Sequence, residues 1–309
     1  MSHAARSCRR SLPAVVSTFV VIVSIASIVS VASCKKPDAA PAVAEGPPLV
    51  AAPAEASLTN DSVSVAVRRG RALVNSTADS LAKNVGNDLR CTSCHLSDGR
   101  RAFAIPLVGA SVRYPQPKSR SGKTDQLSDR INDCVVRSLN GRALDPAGRD
   151  MHDIVAYMTW LSTGVAVPGK VVGQAIDSIA PLVPDTTNGA KVYAARCARC
   201  HGANGSGAPG PRLFLGSENT VASPLWGPKS FTIGSEMARI RVAAAFIARQ
   251  MPLESPTTLT PQQAYDLAGL IVAKPRPDFA KKAMDWPNGG APPDVPYQTD
   301  FAAKNRVKP

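Results

Sequence analysis

The chain is 309 residues long and 44% hydrophobic, with 36 Lys and Arg against 23 Asp and Glu and a formal net charge of +13. A balance this basic first suggests nucleic acid as partner, but the amino terminus reads as an export segment, and that compartment excludes it. Seven cysteines are present, and once those with other assignments are set aside one remains, so no structural disulfide can be drawn within the mature chain.

In chain order, residues 1–33 read as the export segment. Arg6, Arg9 and Arg10 form a positive head, residues 12–31 are apolar and uncharged, and Val31, Ala32, Ser33 and Cys34 resemble the site at which a bacterial lipoprotein is cleaved and acylated. The alternative is an uncleaved anchor helix, because the apolar stretch is nearly long enough to span a bilayer. Both readings put the remainder outside the cytoplasm, in the periplasm, with Cys34 the predicted lipid anchor to the membrane. Three of the basic residues and none of the acids lie in this segment, which leaves a net charge of about +10 beyond it. That charge suits an anionic small substrate or an acidic redox partner, although solvation alone accounts for many single surface cations. Residues 34–57 are rich in Ala and Pro, with Pro37, Pro41, Pro47, Pro48 and Pro53. They predict an extended tether reaching roughly 70 Å at ~3.1 Å per residue.

Two copies of one pentapeptide follow. Cys91, Thr92, Ser93, Cys94 and His95 repeat as Cys197, Ala198, Arg199, Cys200 and His201. C-x-x-C-H is the attachment signature of a c-type haem: two thiols bind the vinyl groups and the histidine becomes the proximal iron ligand. A zinc site would need further Cys or His ligands close by, since closed sites take four. The repeat therefore predicts two covalently bound haem c groups. Residues 58–164 form one predicted domain, carrying what is read below as the active-site haem. Residues 165–184, with Gly164 just before them and Pro168, Gly169, Gly173, Pro181 and Pro184 within them, suit a linker. Residues 185–275 form a second domain for an electron-transfer haem, and 276–309 a Pro-rich extension, with Trp286, Tyr297 and Phe301, expected to wrap over the domains as irregular chain and assigned no chemistry. Helical spacing over residues 63–73 and 189–199 leads into each motif. A closing helix is expected after Asp145 and Pro146 in the first domain and after Thr260 and Pro261 in the second. The fold expected is mainly α, two tandem class I-like cytochrome c domains joined by a linker.

His3 lies in the export segment, so only His152 remains beyond the two motif histidines. For the second haem Met251, on a loop before Pro252, is the expected distal ligand, with Met237 as competitor. For the first haem Cys134 is expected, with His152 as the alternative. A buried free thiol is the plainer reading, but Arg120, Arg130 and Arg137 are near in sequence and cations favour thiolate.

Taken together these residues resemble the thiosulfate dehydrogenase family of diheme c-type cytochromes. The likeness is clearest in VGNDLRCTSCHL at 85–96, PLVGA at 106–110, residues 129–144 with SLNGRAL at 138–144, and AYMTWLS at 156–162. The resemblance implies His/Cys ligation of the first haem with the cysteine, here Cys134, also the site of chemistry. Arg120, Arg130 and Ser138 match the places that help hold substrate. At the second haem Met251 matches a methionine that exchanges with lysine in some members, but Gln250 precedes it, which speaks against such a switch here. The implied reaction joins two thiosulfates into tetrathionate, possibly reversibly, with electrons passing through the second haem to a soluble or membrane cytochrome-type acceptor. Two other readings compete: an electron-transfer cytochrome without a substrate, and a relative of the sulfur-oxidation (Sox) cytochromes that act on a carrier protein.

Overall fold

The computed structural model describes residues 47–305 apart from 168, 169, 177, 208–212, 216, 217 and 221, and describes the backbone alone of 213–215 and 218–220. The predicted export segment, Cys34 and the start of the predicted tether lie outside the described residues. All described residues belong to one compact unit.

The first half runs α1 (Ser62–Asn75), α2 (Thr77–Ser80), a 3-10 turn at Cys91–Ser93, α3 (Leu96–Gly99), a hairpin of β1 (Gln116–Lys118) and β2 (Lys123–Asp125), α4 (Leu127–Arg137) and α5 (Arg149–Leu161). The second runs α6 (Thr186–Arg196), α7 (Ala198–His201), a hairpin of β3 (Leu213–Leu215) and β4 (Glu218–Thr220), a 3-10 turn at Glu236–Ala238, α8 (Ile240–Gln250) and α9 (Pro261–Val272). The extension adds α10 (Asp300–Lys304). The molecule is thus mainly helical, as expected, with two short antiparallel hairpins. Among the described residues no helix is long and apolar enough to cross a membrane.

Both halves are assembled by the same device. Helix α1 packs across α5, and α6 across α9. At each crossing a glycine meets a backbone carbonyl: a Cβ on Gly70 would lie 1.9 Å from the oxygen of Asp153, and one on Gly189 would lie 2.2 Å from that of Asp266. Only a residue without Cβ lets the helices approach so closely. The aspartates beneath are buried and satisfied. Asp153 accepts from Arg69 Nη1 at 2.6 Å, and Asp266 from Asn188 Nδ2 at 2.7 Å and the amide of Asp185 at 2.8 Å. Helix starts follow local chemistry. Asp61 caps α1 by accepting from the Ser64 amide. Thr260 and Gln263 form a capping box ahead of Pro261 on α9, the start expected from sequence.

Three expectations shift, and the extension wraps over the domains as expected. Asp145 and Pro146 do not open α5. Asp145 accepts from the amides of Ala147 and Gly148 in a tight turn, so its side chain is used locally and the helix begins after Gly148. The predicted tether is docked from Pro47: Val50 donates to Arg100 O at 2.7 Å, Ala102 to Pro48 O at 2.9 Å, and Val50, Ala52 and Leu58 pack on the first core. The linker also packs, with Val165 and Val171 on the first core, Ile176 on a small middle cluster and Ile179 on the second core. The extension is built in as well. Trp286, Val295 and Tyr297 form a buried cluster against Ile233. Short apolar runs among prolines hide this, because their partners are remote in sequence.

Candidate active site

Each motif histidine is oriented by a backbone carbonyl. His95 Nδ1 lies 2.5 Å from Ile105 O, and His201 Nδ1 lies 2.8 Å from Ser223 O. With Nδ1 donating there, Nε2 keeps its lone pair for a metal. Burial pushes the His95 pKa down to about 4, opposed by the Ile105 hydrogen bond and helped by Arg130 and Arg113, so the ring is neutral at neutral pH. Burial likewise pushes Cys91 up to about 11, Cys94 up to about 12 and Cys197 up to about 11. These are thiols in apolar slots, the surroundings a covalently attached porphyrin requires. Among the described residues no group of three or more His, Cys, Asp and Glu gathers as a closed zinc site would need.

Two cavities carry the motifs. One is lined by Cys197, Cys200, His201, Met251 and Met237, and also by Cys94 of the first motif. Met251 is the residue at which α8 ends, its amide bonded to Ile247 O. The two motifs therefore meet: Ser223 Oγ, on the residue that orients His201, donates to Ser93 Oγ at 2.7 Å.

The other cavity, of about 450 Å3, is lined by Cys91, His95 and Cys134 together with Arg113, Lys118 and Arg130. Helix α4 delivers the last group. Arg130 and Cys134 are one turn apart on one face, and the Coulombic pull of Cys134 leads in raising the Arg130 pKa above its usual range, with Asp133 acting in the same direction and burial opposing. Asp133 accepts from Arg130 Nη1 at 3.1 Å and also pairs with Arg137. His152, the alternative ligand, is 72% exposed and bonded to Asp153, and it is not among the residues lining this cavity.

Arg120 borders the same cavity, but its guanidinium is turned to protein acceptors. Nε donates to Asp285 at 3.1 Å, Nη1 to Glu236 at 2.7 Å, and Nη2 to Gly234 O at 2.6 Å and Tyr297 Oη at 2.7 Å. It also lies 4.8 Å above the Trp286 ring. Ser138, just past the end of α4, pairs with Ser235 Oγ at 3.0 Å and does not line the cavity. Sequence reasoning missed Arg113 and Lys118. Lys118 sits 5.5 Å over the Tyr114 ring, and burial, Arg130 and Arg113 all push its pKa down. Neither belongs to a motif. The only signal was the local density of cations between His95 and Cys134.

Residues 81–167 match the family described as SoxA/TsdA, cytochrome c domain, and residues 184–271 match that described as cytochrome C oxidase, cbb3-type, subunit III. Two tandem cytochrome c domains imply haem c binding, which the two motif cavities fit. The chain is 41% identical over 254 residues to the thiosulfate dehydrogenase of Psychrobacter arcticus, covering 82% of this chain and 76% of that one. It is 41% identical over 252 residues to the thiosulfate dehydrogenase of Allochromatium vinosum, covering 78% and 90%. Among solved structures, thiosulfate dehydrogenase (TsdBA) from Marichromatium purpuratum in its as-isolated form superposes with a TM-score of 0.70 at 33% identity. That match covers 82% of this chain and 55% of that one, so this chain spans little more than half of the solved protein.

Proposed function

The chain belongs to the thiosulfate dehydrogenase family of c-type cytochromes, and on that premise we propose that it oxidises two thiosulfate anions to tetrathionate at Cys134. The observation that carries this reading is one cavity bringing Cys134 together with Cys91 and His95 among five cations, Arg113, Lys118, Arg120, Arg130 and Arg137. Two haem c groups would be held there, one by Cys91, Cys94, His95 and Cys134 and the other by Cys197, Cys200, His201 and Met251. Each haem, when bound, supplies a one-electron oxidation–reduction centre.

The residues address two difficulties. Thiosulfate is a dianion, and two of them ~4 Å apart repel by roughly 4 kcal/mol even at the dielectric of water. Arg130, Arg113 and Lys118 oppose that repulsion, with Arg forks suited to oxyanions. Cys134 takes the anions one at a time. Its thiolate and the sulfane sulfur of a first thiosulfate form an S–S bond, giving Cys134–S–S–SO3− and releasing two electrons. A second thiosulfate attacks the sulfane sulfur, the bond to Cys134 breaks, and tetrathionate leaves with the thiolate regenerated. Cys134 must therefore act as ligand in one state and as nucleophile in another. Arg120 and Ser138, which match substrate-holding positions, would act by supporting the cavity wall through Asp285, Glu236 and Ser235. A haem held by Cys197, Cys200, His201 and Met251 would supply the route by which the electrons reach a cytochrome-type acceptor. The export segment supports a periplasmic location with a lipid on Cys34.

The test is turnover of the purified holoprotein with thiosulfate and ferricyanide, without any carrier protein. Cys134→Ala should lower it at least about 10³-fold while leaving both haems attached and reducible by dithionite. Retained turnover would remove Cys134 as nucleophile, and absent turnover in the unaltered protein would favour a simple electron carrier.

A further inference from the structure

We propose that Arg113 is the anion-receiving residue of the Cys134 cavity, binding either the sulfonate of the substrate or a carboxylate of the first haem. The sulfonate source rests on the thiosulfate reading above, whereas the carboxylate source requires only the haem.

The other cations bordering this cavity are each engaged by the protein. Arg130 is paired with Asp133, and Arg137 with Asp133 and Asp285. Arg120 is held by Asp285 and Glu236, and Lys118 lies over Tyr114. Arg113 differs. Its Nε is buried with no hydrogen-bond partner, and among the described residues no carboxylate pairs with its guanidinium. The acids on the cavity wall are engaged elsewhere: Asp133 and Glu236 by the arginines named, and Asp125 by Ser121 Oγ at 2.8 Å.

The backbone keeps Arg113 in place. It ends the 3-10 turn Ser111–Arg113, its amide donating to the buried Ala110 at 3.1 Å. Burial pushes its pKa down and Arg130 adds to this, but a guanidinium remains charged. A buried donor without an acceptor, beside a second cation, is an unfavourable arrangement in isolation. An oxyanion seated between Arg113 and Arg130 would satisfy the donor and relieve the repulsion together. Arg113, Arg130 and His95 line the same cavity, so such an anion would share it with the histidine expected to hold the first haem.

Arg113→Gln and Arg113→Lys, made in the full-length diheme protein, carry two readouts. One is thiosulfate affinity, as KM and as the Kd from titrating the first haem's absorption. The other is the pH profile of the first haem's midpoint potential. If Arg113 receives sulfonate, Arg113→Gln raises Kd and KM at least about tenfold with the potential profile unchanged, and Arg113→Lys recovers part of the loss. If it receives the haem carboxylate, Arg113→Gln gives the potential a pH dependence absent from the unaltered protein, with affinity unchanged. Should Arg113→Gln fail to load both haems, Arg113→Lys keeps the charge and reports the same two quantities with smaller changes. A loaded variant matching the unaltered protein in both readouts overturns the proposal. Absence of turnover in the unaltered protein overturns the thiosulfate reading and leaves the potential profile to decide the carboxylate source.

Discussion

Met251 and Met237 border the same cavity as His201, yet they are held by different parts of the molecule. Met251 packs on the second core, which contains Tyr193 and the partly buried Cys197, as well as on the middle cluster. Met237 packs on the first core and the middle cluster. The thioether anchored in the core of the second motif is the one expected to reach its iron. Met251→Ala should therefore change the low-spin signal of that haem in low-temperature electron paramagnetic resonance. It should also lower its midpoint potential, because methionine ligation raises it. Met237→Leu should leave both as they are, and the reverse result would exchange the assignments. Residues of this kind were legible in the sequence to different degrees. The six motif residues were fully legible, because covalent attachment demands fixed spacing. Cys134 stood out by elimination. Arg113 did not, since its interest lies in a buried Nε without an acceptor among the described residues, which is a three-dimensional fact.

The crossings α1–α5 and α6–α9 show what was and was not readable in the elements. Apolar periodicity gave the helices to within a few residues. It gave no reason for Gly70 or Gly189, since a glycine in a helix is unfavourable by about 1 kcal/mol relative to alanine and looks like a defect. The structure reverses that sign. A Cβ on either would lie 1.9 Å or 2.2 Å from a carbonyl oxygen, so the helices must separate, and overpacking of this kind costs about 1–3 kcal/mol. Gly70→Ala and Gly189→Ala should each destabilise the holoprotein by that order despite the better helix propensity, measured by urea denaturation. An increase in stability from either would mean that the helices do not touch there. The same contact in both halves is also stronger support for a duplicated plan than the order of elements, because it repeats at the level of one backbone atom.

At the scale of the whole molecule, the segment that sequence left without chemistry ties α4 to the second half. Asp285 has a side chain only 4% exposed and receives both terminal nitrogens of Arg137 at 2.8 Å and 2.6 Å, Arg120 Nε at 3.1 Å and Tyr297 Oη at 2.6 Å. Arg137 is the last residue of α4, one turn beyond Cys134, and its carbonyl accepts from Thr232 of the second half. The partners lie 148 residues apart, so no local pattern could have announced them. Removing one side of a buried ion pair leaves the other charge uncompensated, at a cost of about 3–5 kcal/mol. Here two arginines would lose a shared acceptor. Asp285→Ala should therefore lower the thermal midpoint of the holoprotein by about 6 °C or more. Tyr297→Phe, which removes no charge but takes one hydrogen bond from the same carboxylate and one from Arg120, should cost about 1–3 kcal/mol. Freed from Asp285, Arg120 would be held by Glu236, Gly234 and Tyr297, and the end of α4 would lose its fixed point. Thiosulfate turnover by Asp285→Ala should fall at temperatures well below its melting transition, through a less ordered Cys134. If stability drops while turnover per folded molecule is unchanged, the extension serves the fold without setting the geometry of the sulfur site.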